Sequence, residues 1–166
     1  MELKFRKLNA NEIEVRVARI TDKGLQLLLY KDARCDMNIL DETVGPENWQ
    51  RQHTRDNSNC IVSIWDDVKK QWISKEDTGT ESFTEKEKGQ ASDSFKRACF
   101  NWGIGRELYT APFIWVPADK ANINNKKCSD KFIVEKIQYN DKGVIEGLAI
   151  KNITKKVRAF LMKPGE

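Results

Sequence analysis

Apolar residues recur at helical spacing near the start of the chain. Ile13, Val17 and Ile20 follow one another at steps of four and three, which predicts an N-terminal helix. Asn9 or Asn11 can cap the start of this helix, since a short polar side chain accepts a hydrogen bond from the first free amides. The pattern therefore places an amphipathic helix at the beginning of the fold.

A short buried strand and a second helix are predicted next. The apolar run 25–30 is long enough for a buried strand. Beyond it, apolar residues recur at steps of four, three and four, which predicts a helix that Gly45 and Pro46 end. The residues at these steps are Ala33, Met37, Leu40 and Val44.

From residue 49 onward the hydrophobic period changes to two, as in a half-buried strand. Residues 49–53 alternate, residues 60–65 form an apolar run, and residues 72–80 form a third extended segment. Because the connections are short, we expect an antiparallel meander of three strands. Four indole side chains are expected on buried faces of this region: Trp49, Trp65, Trp72 and Trp102.

A further amphipathic helix follows the meander and ends at two glycines, Gly103 and Gly105. Its apolar stripe is expected to cover one face of the sheet and consists of Ala91, Phe95, Ala98 and Trp102. Lys96 and Arg97 lie beside this stripe, and Arg106 follows the helix end. A helix that presents cations while its other face is anchored in a core is suited to holding phosphates.

The C-terminal part reads as a polar surface loop over residues 119–130 followed by a hairpin. The strands 132–139 and 144–150 flank the turn sequence Asn-Asp-Lys-Gly. The tail 151–163 contains five cations and no acid.

The predicted fold class is α+β, with an antiparallel β-β-β-α core, an N-terminal helix, a second helix and a C-terminal hairpin. We expect residues 1–118 to form the core domain. Residues 119–166 are expected to add an accessory loop, hairpin and basic tail to the same domain.

Composition narrows the class of protein only slightly. A net charge of +4 and a pI near 8.8 permit a nucleic-acid partner without requiring one. No apolar run approaches the roughly 18 residues of a membrane span, and the charged N-terminus is unlike a secretory signal. We therefore expect a cytoplasmic protein without membrane contact. The widely spaced cysteines and the single histidine predict neither a metal site nor a cofactor.

Catalytic groups are not recognisable in the chain, so we do not expect an enzyme. There is no phosphate-binding loop of the Walker type, and His53 lacks a recognisable nucleophile nearby. The alternative is a metal-dependent nuclease that acts on recombination intermediates with carboxylates such as Asp66, Asp67 and Asp77. A second alternative is an interaction subunit whose basic surface meets an acidic protein.

Basic side chains around the predicted sheet and helices are candidates for contact with nucleic acid. They could neutralise phosphates or stack on exposed bases of a single strand. A chain with 29 Lys and Arg must place most of them in solvent, so an ordinary surface position is the alternative for each. The candidates are Arg34, Arg51, Arg55, Lys75, Lys96, Arg97 and Arg106.

The central stretch 75–109, KEDTGTESFTEKEKGQASDSFKRACFNWGIGRELY, resembles the phage Sak proteins. These are small homologues of the eukaryotic Rad fifty-two recombination mediator. A weaker resemblance covers LLLYKDARCDMNILDETVGPENW at 27–49 and LNANEIEVRV at 8–17, so the similarity spans about residues 8–117.

The resemblance implies a β-β-β-α core that assembles into rings and anneals complementary single strands without ATP. The DNA would lie in an outer basic groove that holds the backbone and leaves the bases free to pair. The family's lysine-arginine pair matches Lys96 and Arg97, and its helix-start arginine matches Arg34. A further family arginine is replaced here by Phe100, and Arg106 is the candidate to compensate.

We accordingly predict a single-stranded DNA-binding protein that promotes strand annealing in homologous recombination and repair. The expected partners are single-stranded DNA, further copies of the chain in a ring or filament, and a single-strand-binding protein. By resemblance the protein is a bacteriophage recombinase that acts in the cytoplasm of a bacterial host.

Overall fold

The computed structural model describes residues 2–80 and 86–165. Its described residues form two α-helices and nine antiparallel strands, so the predicted α+β class is confirmed. The helices are α1 (Ala33–Val44) and α2 (Lys86–Trp102). The strands are β1 (Ile13–Thr21), β2 (Gly24–Lys31), β3 (Trp49–Thr54), β4 (Asn59–Asp66), β5 (Gln71–Thr78), β6 (Ile114–Pro117), β7 (Phe132–Tyr139), β8 (Ile145–Asn152) and β9 (Val157–Met162).

The chain divides into two compact units. Unit 1 comprises Met1–Lys7 and Lys31–Arg106, and unit 2 comprises Leu8–Tyr30 and Glu107–Glu166. A continuous segment of unit 1 therefore interrupts the sequence of unit 2. Each unit has its own sheet, so the fold does not rest on one β-β-β-α core as expected.

In unit 1, the predicted meander is confirmed as an antiparallel sheet of order β3-β4-β5. On the central strand, Val62 lies opposite Arg51 on one side and Lys75 on the other. Helix α2 packs on this face of the sheet, and the Trp102 indole N–H donates to the Val62 carbonyl at 2.9 Å. Phe95, on the inner face of α2, is fully buried, so the predicted apolar stripe does cover the sheet.

Helix α2 begins earlier than predicted. The segment EKEKG was expected to be a loop, but the helix already includes Lys86–Gly89. Lysine and glutamate have high helix propensity, which outweighs the single glycine. The part of the expected loop that covers residues 81–85 lies outside the described residues.

Among the described residues of unit 1, no helix covers the opposite face of the same sheet, which corrects the expected burial of two tryptophans. Trp65 and Trp72 are cross-strand neighbours on this face, with ring centroids 5.6 Å apart and an edge-on arrangement. Trp72 is 39% exposed. Nearby, the Ser63 and Ser74 hydroxyls form a hydrogen bond of 2.7 Å. The two indoles therefore shield each other instead of entering the core.

Helix α1 is confirmed, and its start is fixed by Asp32, whose side chain accepts from the Arg34 and Cys35 amides. Its buried residues are Cys35, Asp36, Ile39 and Leu40. Of the predicted stripe only Leu40 is fully buried, and the other three residues are half-buried. The buried face thus includes a carboxylate that a search for apolar spacing could not find.

The predicted N-terminal helix is wrong, because residues 13–21 form strand β1. Val15 stands between Ile13 and Val17, so the same apolar residues also fit a period of two. All three are β-branched, which favours a strand over a helix. In the described residues that precede the strand, the regular structure is a single 3-10 turn, Ala10–Glu12.

Unit 2 is built around a six-stranded sheet of order β6-β2-β1-β7-β8-β9. The predicted C-terminal hairpin is confirmed as β7 and β8, and the basic tail continues into β9. The two edge strands, β6 and β9, also approach each other, so the sheet curls nearly into a barrel. Its fully buried side chains include Leu25, Leu27, Ile114, Leu148 and Ile150.

Candidate nucleic-acid interface

Helix α2 carries the two cations that the sequence singles out. Successive helical residues are about 100° apart, so Lys96 and Arg97 lie about 100° and about 200° around the helix from the buried Phe95, and both fall on the outer half of α2. Arg97 has a side chain 46% exposed, and its Nε lies 2.9 Å from the Asp93 carboxylate one turn earlier. Lys96 is half-buried. The pair is therefore presented on the side of α2 that does not face the sheet.

Asp93 links α2 to the end of β5. Its carboxylate accepts from the Thr80 amide at 2.8 Å as well as from Arg97. Burial raises the pKa of Asp93, but the Thr80 amide, Arg97 and Lys96 together lower it below its ordinary value. Asp93 is therefore ionised at neutral pH and orients the Arg97 guanidinium along the helix.

Arg51 and Lys75 flank α2 from the two outer strands of the sheet. The Arg51 guanidinium lies 4.6 Å from the centroid of the Phe95 ring, and the Lys75 ammonium lies 5.2 Å from the Trp102 ring. Cations over aromatic faces gain attraction from the ring quadrupole. Both residues remain exposed, so their charges are held beside the helix and still reach solvent.

Arg106, in contrast, is bonded to the end of α2. Its guanidinium donates to the Phe100 carbonyl at 2.7 and 3.0 Å and to the Asn101 carbonyl at 3.0 Å. These are terminal carbonyls that lack partners within the helix, and a cation also suits the negative helix end. The structure therefore assigns Arg106 a capping role.

The two remaining candidates lie apart from α2. Arg34 is in the first turn of α1, with a side chain 85% exposed and its Nε 3.7 Å from Asp32. Arg55 is in the β3–β4 turn, where its φ of 52° serves the turn geometry. Of the seven candidates, the structure thus groups Arg51, Lys75, Lys96 and Arg97 around α2.

A buried ion pair next to this group escaped the sequence reasoning. Lys31 is 2% exposed and Asp36 is fully buried, and the Lys31 ammonium lies 2.5 Å from Asp36 Oδ1. The same ammonium donates to the Lys96 carbonyl at 3.1 Å. Burial raises the pKa of Asp36 to about 6, although Lys31 opposes this shift. The only sequence signal was a lysine directly after an apolar run.

Phe100 belongs to the same cluster. The Lys31 ammonium lies 4.1 Å from the centroid of its ring. Phe100, at the position where the resemblance to the Sak proteins would place an arginine, therefore contacts a buried cation. An arginine at position 100 would place a second positive charge beside Lys31, which explains in physical terms why an aromatic ring suits this chain.

The carboxylates considered for a nuclease have local partners. Asp66 accepts from the Val68 and Lys69 amides at 3.0 Å each, and these bonds, led by that from Lys69, lower its pKa. Asp67 pairs with Lys70 at 2.9 Å. Among the described residues, no three His, Cys, Asp or Glu side chains lie close enough together to hold a metal ion.

His53 faces α2, where the Ser94 hydroxyl lies 3.5 Å from its Nδ1. Burial lowers the pKa of His53, and the neighbouring Arg51 charge lowers it further. Ser94 is fully buried and also bonds the Asn57 and Ala91 carbonyls, at 3.1 Å each. The serine that the sequence did not reveal therefore joins α2 to the β3–β4 turn and offers no accessible nucleophile.

Comparison with protein-family models, curated protein sequences and solved structures finds no match to this chain. The resemblance to the Sak proteins therefore rests on the quoted motifs alone. No helix in the described part of the chain is long and apolar enough to cross a membrane.

Proposed function

We propose that this protein binds single-stranded DNA and anneals complementary strands without ATP. The supporting observation is the position of Lys96 and Arg97 on the outward side of a helix whose inner face is fixed on a three-stranded sheet. Arg51 and Lys75 extend the positive charge to both sides of that helix. A rigid support with outward cations suits a charged backbone.

The proposed interaction is with phosphates and not with bases. Each phosphate contact releases condensed counterions, so the affinity would fall steeply with salt. The tryptophans near α2 are committed to the protein: Trp102 donates to the sheet, and Trp49 stacks on Phe95 with centroids 6.0 Å apart. Bases left unstacked by the protein would remain available for pairing with a second strand.

Annealing requires that two strands meet on ordered surfaces, and the family resemblance implies rings or filaments of many copies. We therefore include self-association in the proposal, together with a single-strand-binding protein as a further partner. The nuclease alternative receives no specific support, since Asp66 and Asp67 are engaged in their own turn.

The decisive test uses the double variant K96A/R97A. We expect it to fold, because both side chains lie outside the apolar contact with the sheet. DNA affinity is measured by fluorescence titration with oligo-dT at several salt concentrations. The slope of log affinity against log salt should be smaller in magnitude by about 1.4, the value for two lost phosphate contacts on a single strand. Its annealing of complementary oligonucleotides, measured with EDTA and without nucleotide, should slow in parallel.

The matched control is K136A/K142A, which removes two exposed cations of β7 and of the turn after it. It carries the same change in net charge and should keep the wild-type salt slope. Unchanged DNA affinity in a folded K96A/R97A protein contradicts the proposal. Shortened strands on a denaturing gel after incubation with Mg²⁺ or Mn²⁺ favour the nuclease instead.

A further inference from the structure

We propose that the buried Lys31–Asp36 pair is a positioning element that holds the start of α1 against the middle of α2. This inference rests on the proposed function, because α1 carries Arg34 whereas α2 carries Lys96 and Arg97. The pair would keep the cations of the two helices in a fixed arrangement along one strand of DNA.

The geometry that supports this role centres on a single ammonium group. Lys31 Nζ lies 2.5 Å from Oδ1 of Asp36, which is in the first turn of α1. It also lies 3.1 Å from the carbonyl oxygen of Lys96, in the middle of α2. One buried cation thus bonds both helices, at a side chain of one and at the backbone of the other.

The lysine stem is held as firmly as its charged end. Gly105 lies directly against it, and a Cβ at that position would come within 2.5 Å of Lys31 Cδ and 2.7 Å of Cε. The Phe100 ring lies on another side of the ammonium, 4.1 Å away. Because the stem cannot move toward either neighbour, the ammonium has a defined position.

The Lys31–Asp36 pair is not expected to add much to the free energy of unfolding, because both charged groups lose their hydration when they are buried. Asp36 Oδ2 is buried and has no hydrogen-bond partner among the described residues, so the carboxylate is only half satisfied. The raised pKa of Asp36 reflects the same burial. Apolar residues of similar size often replace such pairs without loss of stability. What they cannot replace is a directional contact between α1 and α2.

The test separates folding from positioning with the double variant K31M/D36L. Methionine and leucine fill the same space, so we expect thermal melting within about 5 °C of wild type. Because the link between the helices is lost, we expect affinity for oligo-dT to fall about tenfold. The salt slope should fall by about 0.7, as if the contact made by Arg34 were lost. A folded double variant with wild-type affinity and slope overturns the proposal.

Two controls complete the design. S63A/S74A removes a hydrogen-bonded pair on the helix-free face of the sheet and should leave DNA binding unchanged. If K96A/R97A binds DNA normally, the proposed function fails. If K96A/R97A is impaired but K31M/D36L is normal, only the positioning role fails.

A milder variant keeps the test decisive if K31M/D36L does not fold. D36N preserves the size of the side chain and its acceptor oxygen but removes its charge, so the Lys31 ammonium loses its ionic partner. We expect roughly threefold weaker binding from this folded variant, and an affinity equal to wild type overturns the proposal.

Discussion

Replacing Gly105 with alanine gives a direct measure of how tightly Lys31 is held. Two separate effects act at this position. The φ of Gly105 is +73°, a conformation that residues with a Cβ rarely adopt. The added methyl group would also come within 2.5 Å of Lys31 Cδ, far inside van der Waals contact. The buried lysine must therefore shift, and its bonds to Asp36 and to the Lys96 carbonyl must shift with it.

Gly103 supplies the matched control, because it has a φ of +99° but no atom within 4 Å of its added Cβ. Alanine at positive φ costs about 1–2 kcal/mol, of which about 0.4–1 kcal/mol is offset by lower entropy in the unfolded chain. G103A should therefore lose roughly 0.5–1 kcal/mol. Overpacking typically adds ~1–3 kcal/mol, so G105A should lose about 2–4 kcal/mol.

Urea denaturation followed by tryptophan fluorescence measures this difference. With a slope near 2 kcal/mol per molar urea, a gap of about 2 kcal/mol separates the two midpoints by ~1 M. Equal midpoints for G103A and G105A would refute the reasoning, because they would mean that the Lys31 stem yields freely. In that event the positioning role of the Lys31–Asp36 pair would also lose its mechanical basis.

Two further predictions concern the same unit. The raised pKa of Asp36 means that the folded state holds this proton more tightly than the unfolded chain, so the contribution of Asp36 to stability, measured as wild type minus D36N, should be greatest below pH 4 and decline as the pH rises to about 6. The decline should be at most about 3 kcal/mol in urea titrations, and it should be absent from D36N. G79A should lose about 2–4 kcal/mol, because its Cβ would come within 2.3 Å of the Ser94 backbone nitrogen and push α2 away from β5. A G79A protein as stable as wild type in the same titration would contradict the close approach.

Elements whose partners are close in sequence could be predicted correctly. The meander β3-β4-β5 joins strands through short turns, and the hairpin of β7 and β8 has a turn sequence of its own. In both cases the local period and the connection length determine the pairing. Helix α1 likewise has a capping aspartate, Asp32, and a glycine end, Gly45, within its own segment.

The prediction for the N-terminal region failed because the strand that pairs with it is distant in sequence. Strand β1 pairs with β7, where Glu14 lies opposite Ile133. Nothing near Glu14 reveals that pairing, and Ile13 and Val17 satisfy the helical and the extended period alike. Tertiary contact, not local preference, decides such a segment.

In the candidate site, too, the features set by local sequence could be predicted, and those that depend on distant residues could not. The exposure of Lys96 and Arg97 follows from the apolar stripe beside them, which is a local property of α2. The contact of Lys31 with the Lys96 carbonyl joins residues 65 positions apart, and the capping bonds of Arg106 depend on how the chain turns at Gly103 and Gly105. Neither could be derived from spacing.

The packing of Lys31 on Gly105 also has a kinetic consequence. These residues stand at the two ends of the long segment of unit 1 that interrupts unit 2. Once that segment folds, its two ends are neighbours. The entropic cost of closing the loop between β2 and β6 has then already been met, so it no longer opposes their pairing. The sheet of unit 2 contains both of these strands, with Leu27 opposite Ile114. Folding of unit 1 is therefore expected to lower the entropic cost of pairing β2 with β6 in the sheet of unit 2.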